Sequence, residues 1–281
     1  MKTIRTALDW AIELLAEHSA TARLDSEVLL CHIFGKERSF LRAWPEHPLS
    51  DDQAQNFFTL TEQRRQGIPV AYLTGVREFW SREFKVNPAV LIPRPDTELL
   101  IELCLNLIPI DAEPFNILDL GTGSGIIAVT LAAERPKASV YACDSSAEAL
   151  AVARQNAAHH RQDRIQFFQS NWFERLPTQQ FDIIASNPPY IAEGDRHLAS
   201  GDLRFEPHSA LVSANQGLAD IAEIAASAKS YFSNPGHLLI EHGYDQQAAL
   251  QDLFIGLGYQ EVVTHADLSG NPRVTYGLWP G

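Results

Sequence analysis

Two short stretches of this sequence combine residue types and spacings that can do chemistry. The first is Asn187-Pro188-Pro189-Tyr190. Asn187 offers an amide oxygen as acceptor and an amide N–H as donor. Neither proline has an N–H to give to a strand ladder, so the chain must turn, and the Pro188 carbonyl is left to accept from a ligand. Tyr190 adds a flat face. Two acceptors and a stacking surface suit a planar –NH2 group. A plain loop after a strand also favours Asn and Pro, so the motif gains meaning only beside the second stretch.

That second stretch runs from Asp119 to Gly125. Gly121-Thr122-Gly123-Ser124-Gly125 separates an apolar strand from a helix opening at Ile126. Alternate glycines let the chain turn tightly and let a ligand approach the backbone. A dinucleotide loop is GxGxxG over a pyrophosphate. Here the third glycine comes one residue early, and Asp119 stands just before the turn. The arrangement suits a ligand with a charged amino-acid end. Asp119 would act on its ammonium through water or the loop, while backbone N–H groups take its carboxylate. The next strand ends at Asp144, where an acid can accept both hydroxyls of a ribose. An acid beside a helix start is also favoured by the dipole, and Ser145 with Glu148 reads as a capping box. Further on, Asn171 can hydrogen-bond an adenine amino group and Trp172 can wall the pocket; a buried aromatic cluster is the alternative.

These residues need a scaffold of strand ends, and the pattern from residue 116 onward supplies one. Strands are expected at 116–120, 138–143, 164–169, 181–186, 237–242, 260–266 and 273–279. Helices are expected at 97–108, 125–135, 146–160, 216–233 and 245–257. Such alternation predicts a parallel, doubly wound sheet. The connection Asp267 to Pro272 is too short for a parallel crossover, so the last two strands should be antiparallel. Upstream, Ile4, Leu8, Ala11, Ile12 and Leu15 lie on one helix face. A second helical pattern stops at Gly35, and Ser50 with Gln53 forms a capping box for a third helix that ends near Gly67. Residues 76–86 alternate like a β-hairpin. Ile92-Pro93-Arg94-Pro95 is stiff and releases a helix at Asp96 or Thr97. The expected organisation is a helical domain over 1–75, a hairpin linker over 76–89 and an α/β domain over 90–281.

The 281 residues carry a net charge of −13, poorly matched to gripping phosphates, so no nucleic-acid partner is expected. Three separated cysteines argue against a disulfide framework and for a reducing cytoplasm. No apolar run is long enough for a membrane helix, and the start does not read as a signal peptide. No Cys or His set has metal-ligand spacing; the adjacent His159 and His160 face apart on their helix. A monomer is expected.

Asp119-Leu-Gly-Thr-Gly-Ser-Gly125 with Asp144 resembles the S-adenosylmethionine site of Rossmann-like, class I methyltransferases. Asn187-Pro-Pro-Tyr190 resembles the motif of those that methylate planar amide or amino nitrogens. With Ile92-Pro-Arg-Pro-Asp-Thr-Glu98, Asp202-Leu-Arg-Phe-Glu-Pro-His208 and Glu241-His-Gly243, the chain is similar to the peptide chain release factor glutamine methyltransferases over nearly its whole length. It departs at Asn171, where that family suggests Asp. The resemblance implies a seven-stranded, mostly parallel sheet and S-adenosylmethionine as cofactor, with S-adenosylhomocysteine as product and no metal. It implies as substrate the glutamine of the Gly-Gly-Gln motif of class I release factors, held partly by the helical domain. Asn187, Pro188 and Tyr190 would then be catalytic, with Pro189 beside the substrate. Asp119, Gly121 through Gly125, Asp144, Asn171, Trp172 and Asn187 would bind the cofactor. Arg94, Glu98 and Arg204 are candidates for the substrate mouth. An adenine-N6 methyltransferase of nucleic acid is the main rival; a non-catalytic docking module and a nicotinamide oxidoreductase are weaker ones.

Overall fold

The computed structural model describes residues 2–108 and 115–281. The chain divides into two units: residues up to Val76 together with His197–Phe205, and Arg77–Arg196 together with Glu206–Gly281.

The first unit is helical: α1 (Ile4–Leu15), α2 (Ala22–Phe34), α3 (Arg38–Ala43), α4 (Asp51–Arg65) and α5 (Val70–Thr74). Its core gathers Ile4, Ala7, Ala11, Leu29, Leu30, Leu41 and Phe57, so the α1 stripe faces inward as its spacing requires. Ser50 and Gln53 cap α4 reciprocally, and Gly35 closes α2 in the left-handed conformation. The short α3 and α5 have too few turns to show a period and are absent from the sequence reading. Arg64 binds the nearly buried Asp25 at 2.7 Å and Asp202 at 3.1 Å; Ser19 and Thr21 hydroxyls also donate to Asp25. Removing one partner strands the other charge out of water. Arg64→Ala should therefore cost about 3 kcal/mol in urea unfolding, and a loss of under about 1 kcal/mol would show that the pair behaves as an exposed one.

The second unit opens on a hairpin, β1 (Val76–Phe79) and β2 (Arg82–Lys85). Trp80 and Ser81 both have positive φ at its turn, the geometry that matches strand twist in two-residue hairpins. Phe79 and Phe84 sit in the same core as Leu100, Ile101 and Val129. Then follow α6 (Thr97–Leu107), β3 (Asn116–Leu120), α7 (Ile126–Glu134), β4 (Ser139–Asp144), α8 (Ala147–His159), β5 (Gln166–Gln169) and β6 (Phe181–Ser186). Next come the short pair β7 (Ile191–Ala192) and β8 (Val212–Ser213), then α9 (Ala219–Ala228), β9 (Phe232–Glu241), α10 (Gln247–Leu257), β10 (Gln260–Ala266) and β11 (Pro272–Trp279).

Seven strands form one sheet in the order β10-β11-β9-β6-β3-β4-β5. β3 pairs in parallel with β4 and β6, β4 with β5, and β6 with β9; β11 runs antiparallel to β9 and β10. This is the expected sheet. Continuous apolar strands such as Ile183-Ile184-Ala185 are buried on both faces by helices.

Three expectations need correction. The single helix at 216–233 is not one helix: Asn215 and Gln216 are left-handed, and α9 ends at Ala228. The strand expected at 237 begins at Phe232, because the Phe181 N–H bonds the Tyr231 carbonyl at 2.8 Å and Phe232 buries its ring in the core. The register then shifts before Ile183 meets His237. The α8 cap is also Ser146 rather than Ser145: its Oγ accepts from Ala149 N–H at 3.1 Å, while Asp144 takes the Ser146 N–H.

Candidate active site

β3, β4 and β6 are adjacent and parallel, so the segments leaving their carboxyl ends emerge together, where ligands sit in open α/β sheets. The glycine loop leaves β3. Thr122 N–H bonds the Cys143 carbonyl at 2.9 Å, and Gly125 N–H bonds the Thr122 carbonyl at 2.8 Å. Gly123 has φ +55, and a Cβ there would project into open space, leaving its backbone free for close approach by a ligand. Gly125 has φ +85, and a Cβ would lie 3.2 Å from both Cα and Cβ of Ala153; glycine is what lets α7 start against α8. Asn156 on α8 braces the same loop. Its Nδ2 donates to the Ser124 carbonyl at 2.8 Å and its Oδ1 accepts from Lys85 N–H at 2.7 Å.

Asp119 lies wholly buried below the loop. Its Oδ2 accepts from the Thr122 hydroxyl at 2.6 Å and from Ala128 N–H at 3.1 Å, and Oδ1 has no partner among the described residues. Asp144 accepts from Gly123 N–H and Ser146 N–H, both at 2.9 Å, which leaves lone pairs on each oxygen. Asn171 donates through Nδ2 to Glu174 at 3.0 Å, so its Oδ1 remains an acceptor. Trp172 donates Nε1–H to Asp220 at 3.1 Å, and its ring edge lies 3.3 Å from where a Gly121 Cβ would sit.

A cavity of about 510 Å3 opens over these groups. Gly121, Thr122, Gly123, Ser124, Asp144, Asn171, Trp172, Asn187 and Pro189 line it, together with Arg94, Thr97 and Asp220. Asp119, Gly125, Pro188 and Tyr190 are not among its lining residues; Asp119 and Gly125 shape the loop from behind. Asn187 Nδ2 donates to Thr97 Oγ1 at 3.2 Å. Tyr190 directs its hydroxyl at the buried Glu241 at 3.5 Å, while the Gln246 amide donates to the Tyr190 carbonyl at 3.0 Å.

Arg94 is paired with Glu206, which also accepts from Ile92 N–H at 2.9 Å and so ties the two segments flanking the cavity. Glu98 instead accepts from Trp80 N–H at 3.0 Å. Arg204 belongs to the first unit, its guanidinium over the Phe205 ring at 4.9 Å. Thr97, Asn156, Glu206 and Asp220 were missed in the sequence. Only the position of Thr97 at a helix start and of Glu206 inside a quoted motif pointed towards them.

Burial pushes the carboxyls of Asp119 and Glu241 up to about 7. Hydrogen bonds from Thr122 and Ala128 oppose this at Asp119; Thr97, the Arg273 charge and Tyr190 oppose it at Glu241. A carboxyl whose folded value is raised stabilises the fold fully below its unfolded value of about 4. That contribution is lost as pH rises through about 7. Thermal unfolding of the ligand-free protein should show Tm falling between about pH 5 and pH 8, and Glu241→Gln should make the fall shallower. A Tm that climbs over that range, or a slope untouched by the substitution, would contradict this assignment.

The cavity can therefore seat one end of a ligand against the uncrowded backbone at Gly123, a diol on Asp144 and a planar amino group at Asn171. A second planar amide can reach Asn187 at its other side.

The family model for the PrmC N-terminal domain matches residues 6–75, and that for the methyltransferase small domain matches residues 96–205. The release factor glutamine methyltransferase of Shewanella oneidensis is 46% identical over 278 residues, covering 99% of this chain and 96% of that relative. Its counterpart in Escherichia coli K12 is 47% identical over 272 residues, covering 96% and 98%. A solved methyltransferase from Pyrococcus furiosus aligns with a TM-score of 0.54 at 15% identity, over 83% of this chain and 100% of that one, which shows a shared fold.

Proposed function

This chain belongs to the release factor glutamine methyltransferase family, and from that premise we propose that it methylates the side-chain amide nitrogen of the glutamine in the Gly-Gly-Gln motif of class I peptide chain release factors. The methyl donor is S-adenosylmethionine, which supplies an electrophilic methyl group on sulfur. The cavity residues fit it: the open backbone at Gly123, the free lone pairs of Asp144 and the free acceptor of Asn171 match its amino-acid end, ribose and adenine.

An amide nitrogen is a poor nucleophile, since its lone pair is shared with the carbonyl, and a neutral amide is too weak an acid for deprotonation before attack. The chemistry left to the protein is positioning. Asn187 and the Pro188 carbonyl accept the two amide hydrogens, which fixes the nitrogen and favours the positive charge that develops as the methyl arrives; one of those hydrogens then leaves as a proton to solvent, giving the neutral N-methyl amide. Tyr190 backs this turn, held by Glu241 and Gln246. Orientation of this kind contributes on the order of 7–11 kcal/mol in favourable cases.

The observation that carries the reading is the Asn187 amide at the cavity wall, with its donor end tied to Thr97 and its acceptor end left for a substrate. The helical unit is the natural holder of the release factor body. The test is transfer of labelled methyl from S-adenosylmethionine to a purified release factor, beside a version whose Gly-Gly-Gln glutamine is replaced by alanine. Label on the first alone is expected. Equal label on both would move the acceptor elsewhere, and label on nucleic acid instead would favour the adenine-directed reading.

A further inference from the structure

We propose that Gln246 is a positioning residue that aims the Pro188 carbonyl by holding the far end of the Asn187-Pro-Pro-Tyr190 turn. The near end is fixed by the sheet. Ser186 is in register with Leu120 of β3, and its Oγ donates to the Leu120 carbonyl at 2.8 Å. Between the two ends the chain has few soft torsions, because the rings of Pro188 and Pro189 lock φ at both. A carbonyl inside so stiff a span points where the two ends send it. Tyr190 is the far end, and its carbonyl accepts from Gln246 Nε2–H at 3.0 Å.

Gln246 stands just before α10 and is buried. A glutamine amide has two hydrogens to give and one oxygen that accepts, and here each serves a different stretch of chain. One hydrogen goes to the Tyr190 carbonyl and the other to the Gln216 carbonyl at 3.2 Å, while Oε1 accepts from Gly243 N–H at 2.9 Å. The turn after β6, the stretch ahead of α9 and the stretch after β9 therefore meet on one side chain. The stretch ahead of α9 is bent to reach it. Asn215 and Gln216 have φ of +52 and +58, a conformation that is costly for a residue with a side chain. Gly217 follows with φ +83, and a Cβ there would lie 2.0 Å from the Tyr190 oxygen and 2.7 Å from Gln246 Nε2. Glycine lets this backbone close on the Tyr190 carbonyl, and Gln246 supplies the hydrogen bond that fixes its direction.

This inference rests on the glutamine methyltransferase reading. Its test uses the full chain with S-adenosylmethionine and release factor. It reads kcat per S-adenosylhomocysteine site titrated, so that an unfolded fraction does not count as slow enzyme, beside KM for release factor and Kd for S-adenosylhomocysteine. Gln246→Glu keeps the shape and the acceptor for Gly243, and turns the two donors into an oxygen facing two carbonyls. Its kcat should fall about tenfold to a hundredfold, the range for a reacting group displaced by about 1 Å, with KM and Kd changed less than about threefold. Gln246→Met, apolar and of similar length, should show the same split by losing the donors without adding an oxygen. Gly217→Ala presses on the same carbonyl from another segment and should do likewise, which decides the matter if both Gln246 variants fail to fold. Retained kcat in any folded one of the three, or a kcat loss matched by KM or Kd, would overturn the inference while leaving the activity standing. A wild-type chain that labels no glutamine overturns the activity, and this inference with it.

Discussion

Asn187→Ala should slow methyl transfer roughly a hundredfold to a thousandfold while leaving most of the cofactor affinity intact. The side chain sits where the segment leaving β6 meets the cavity, beyond the strand that ends at Ser186. Its oxygen has no hydrogen-bond donor among the described residues, while its nitrogen gives one hydrogen to Thr97. Alanine removes an acceptor that acts on the hydrogens of the attacking nitrogen and that strengthens as positive charge builds there. A preorganised group of this kind, the reverse of an oxyanion-hole donor, is worth about 3–4 kcal/mol, or roughly two to three orders of magnitude in kcat. The glycine loop, Asp144 and Asn171 have no hydrogen bond with Asn187, so S-adenosylhomocysteine binding should change little. Single-turnover transfer of labelled methyl, beside calorimetric titration of the product cofactor, separates the two quantities. Equal losses in both would make Asn187 chiefly a cofactor ligand. Unimpaired transfer would remove it from the chemistry altogether.

That much of this was legible in the sequence has a physical reason. Strands 116–120, 181–186 and 260–266 are apolar or alternating runs bounded by turn residues, and local pattern suffices to find them. The glycine loop and Asn187-Pro-Pro-Tyr190 are punctuation that no strand or helix can absorb, so they announce strand ends wherever they fall. What pattern cannot reveal is pairing across the chain. Thr97 and Asn187 meet only because α6 docks beside the end of β6; Asn156 reaches Lys85 and Ser124 only because α8 packs on the hairpin and the loop. The misread helix at 216–233 belongs to the same class. Ala219–Ala228 is helical by period, but Phe232 answers to Phe181 across the sheet, and that tertiary demand outweighs the local helical reading that runs through it. The capping-box pattern of Ser145 with Glu148 pointed one residue too early, because the cap is Ser146, whose Oγ accepts from Ala149 N–H while its own N–H goes to Asp144.

Asp144→Ala should show the opposite split from Asn187→Ala: cofactor affinity lost, and kcat largely recovered at saturating cofactor. Asp144 is mostly buried at the end of β4, and burial raises its carboxyl above the ordinary range while the backbone N–H groups of Ser146, Gly123 and Ser145 pull it back down. Those N–H groups hold it as a preorganised acceptor and tie it to the glycine loop, so its loss acts twice. The ribose hydroxyls lose a charged partner, worth about 1.5–3 kcal/mol for each hydrogen bond. The Gly123 N–H loses the group that sets the loop's shape. An affinity loss of about a hundredfold or more is expected, read by calorimetry or by the fluorescence of Trp172 in the cavity wall. Asp144→Asn should be nearly as damaging despite its shape. One amide oxygen cannot serve two backbone donors and a diol, and its –NH2 would face the groups that now donate to the carboxylate. If Asp144→Asn bound the cofactor as wild type does, the carboxylate would be a helix-start acid alone and the ribose would have to be held elsewhere. If Asp144→Ala lowered kcat at saturation as far as Asn187→Ala does, loop and acceptor would not be separable, and positioning of the amide would depend on the cofactor loop as much as on the turn after β6.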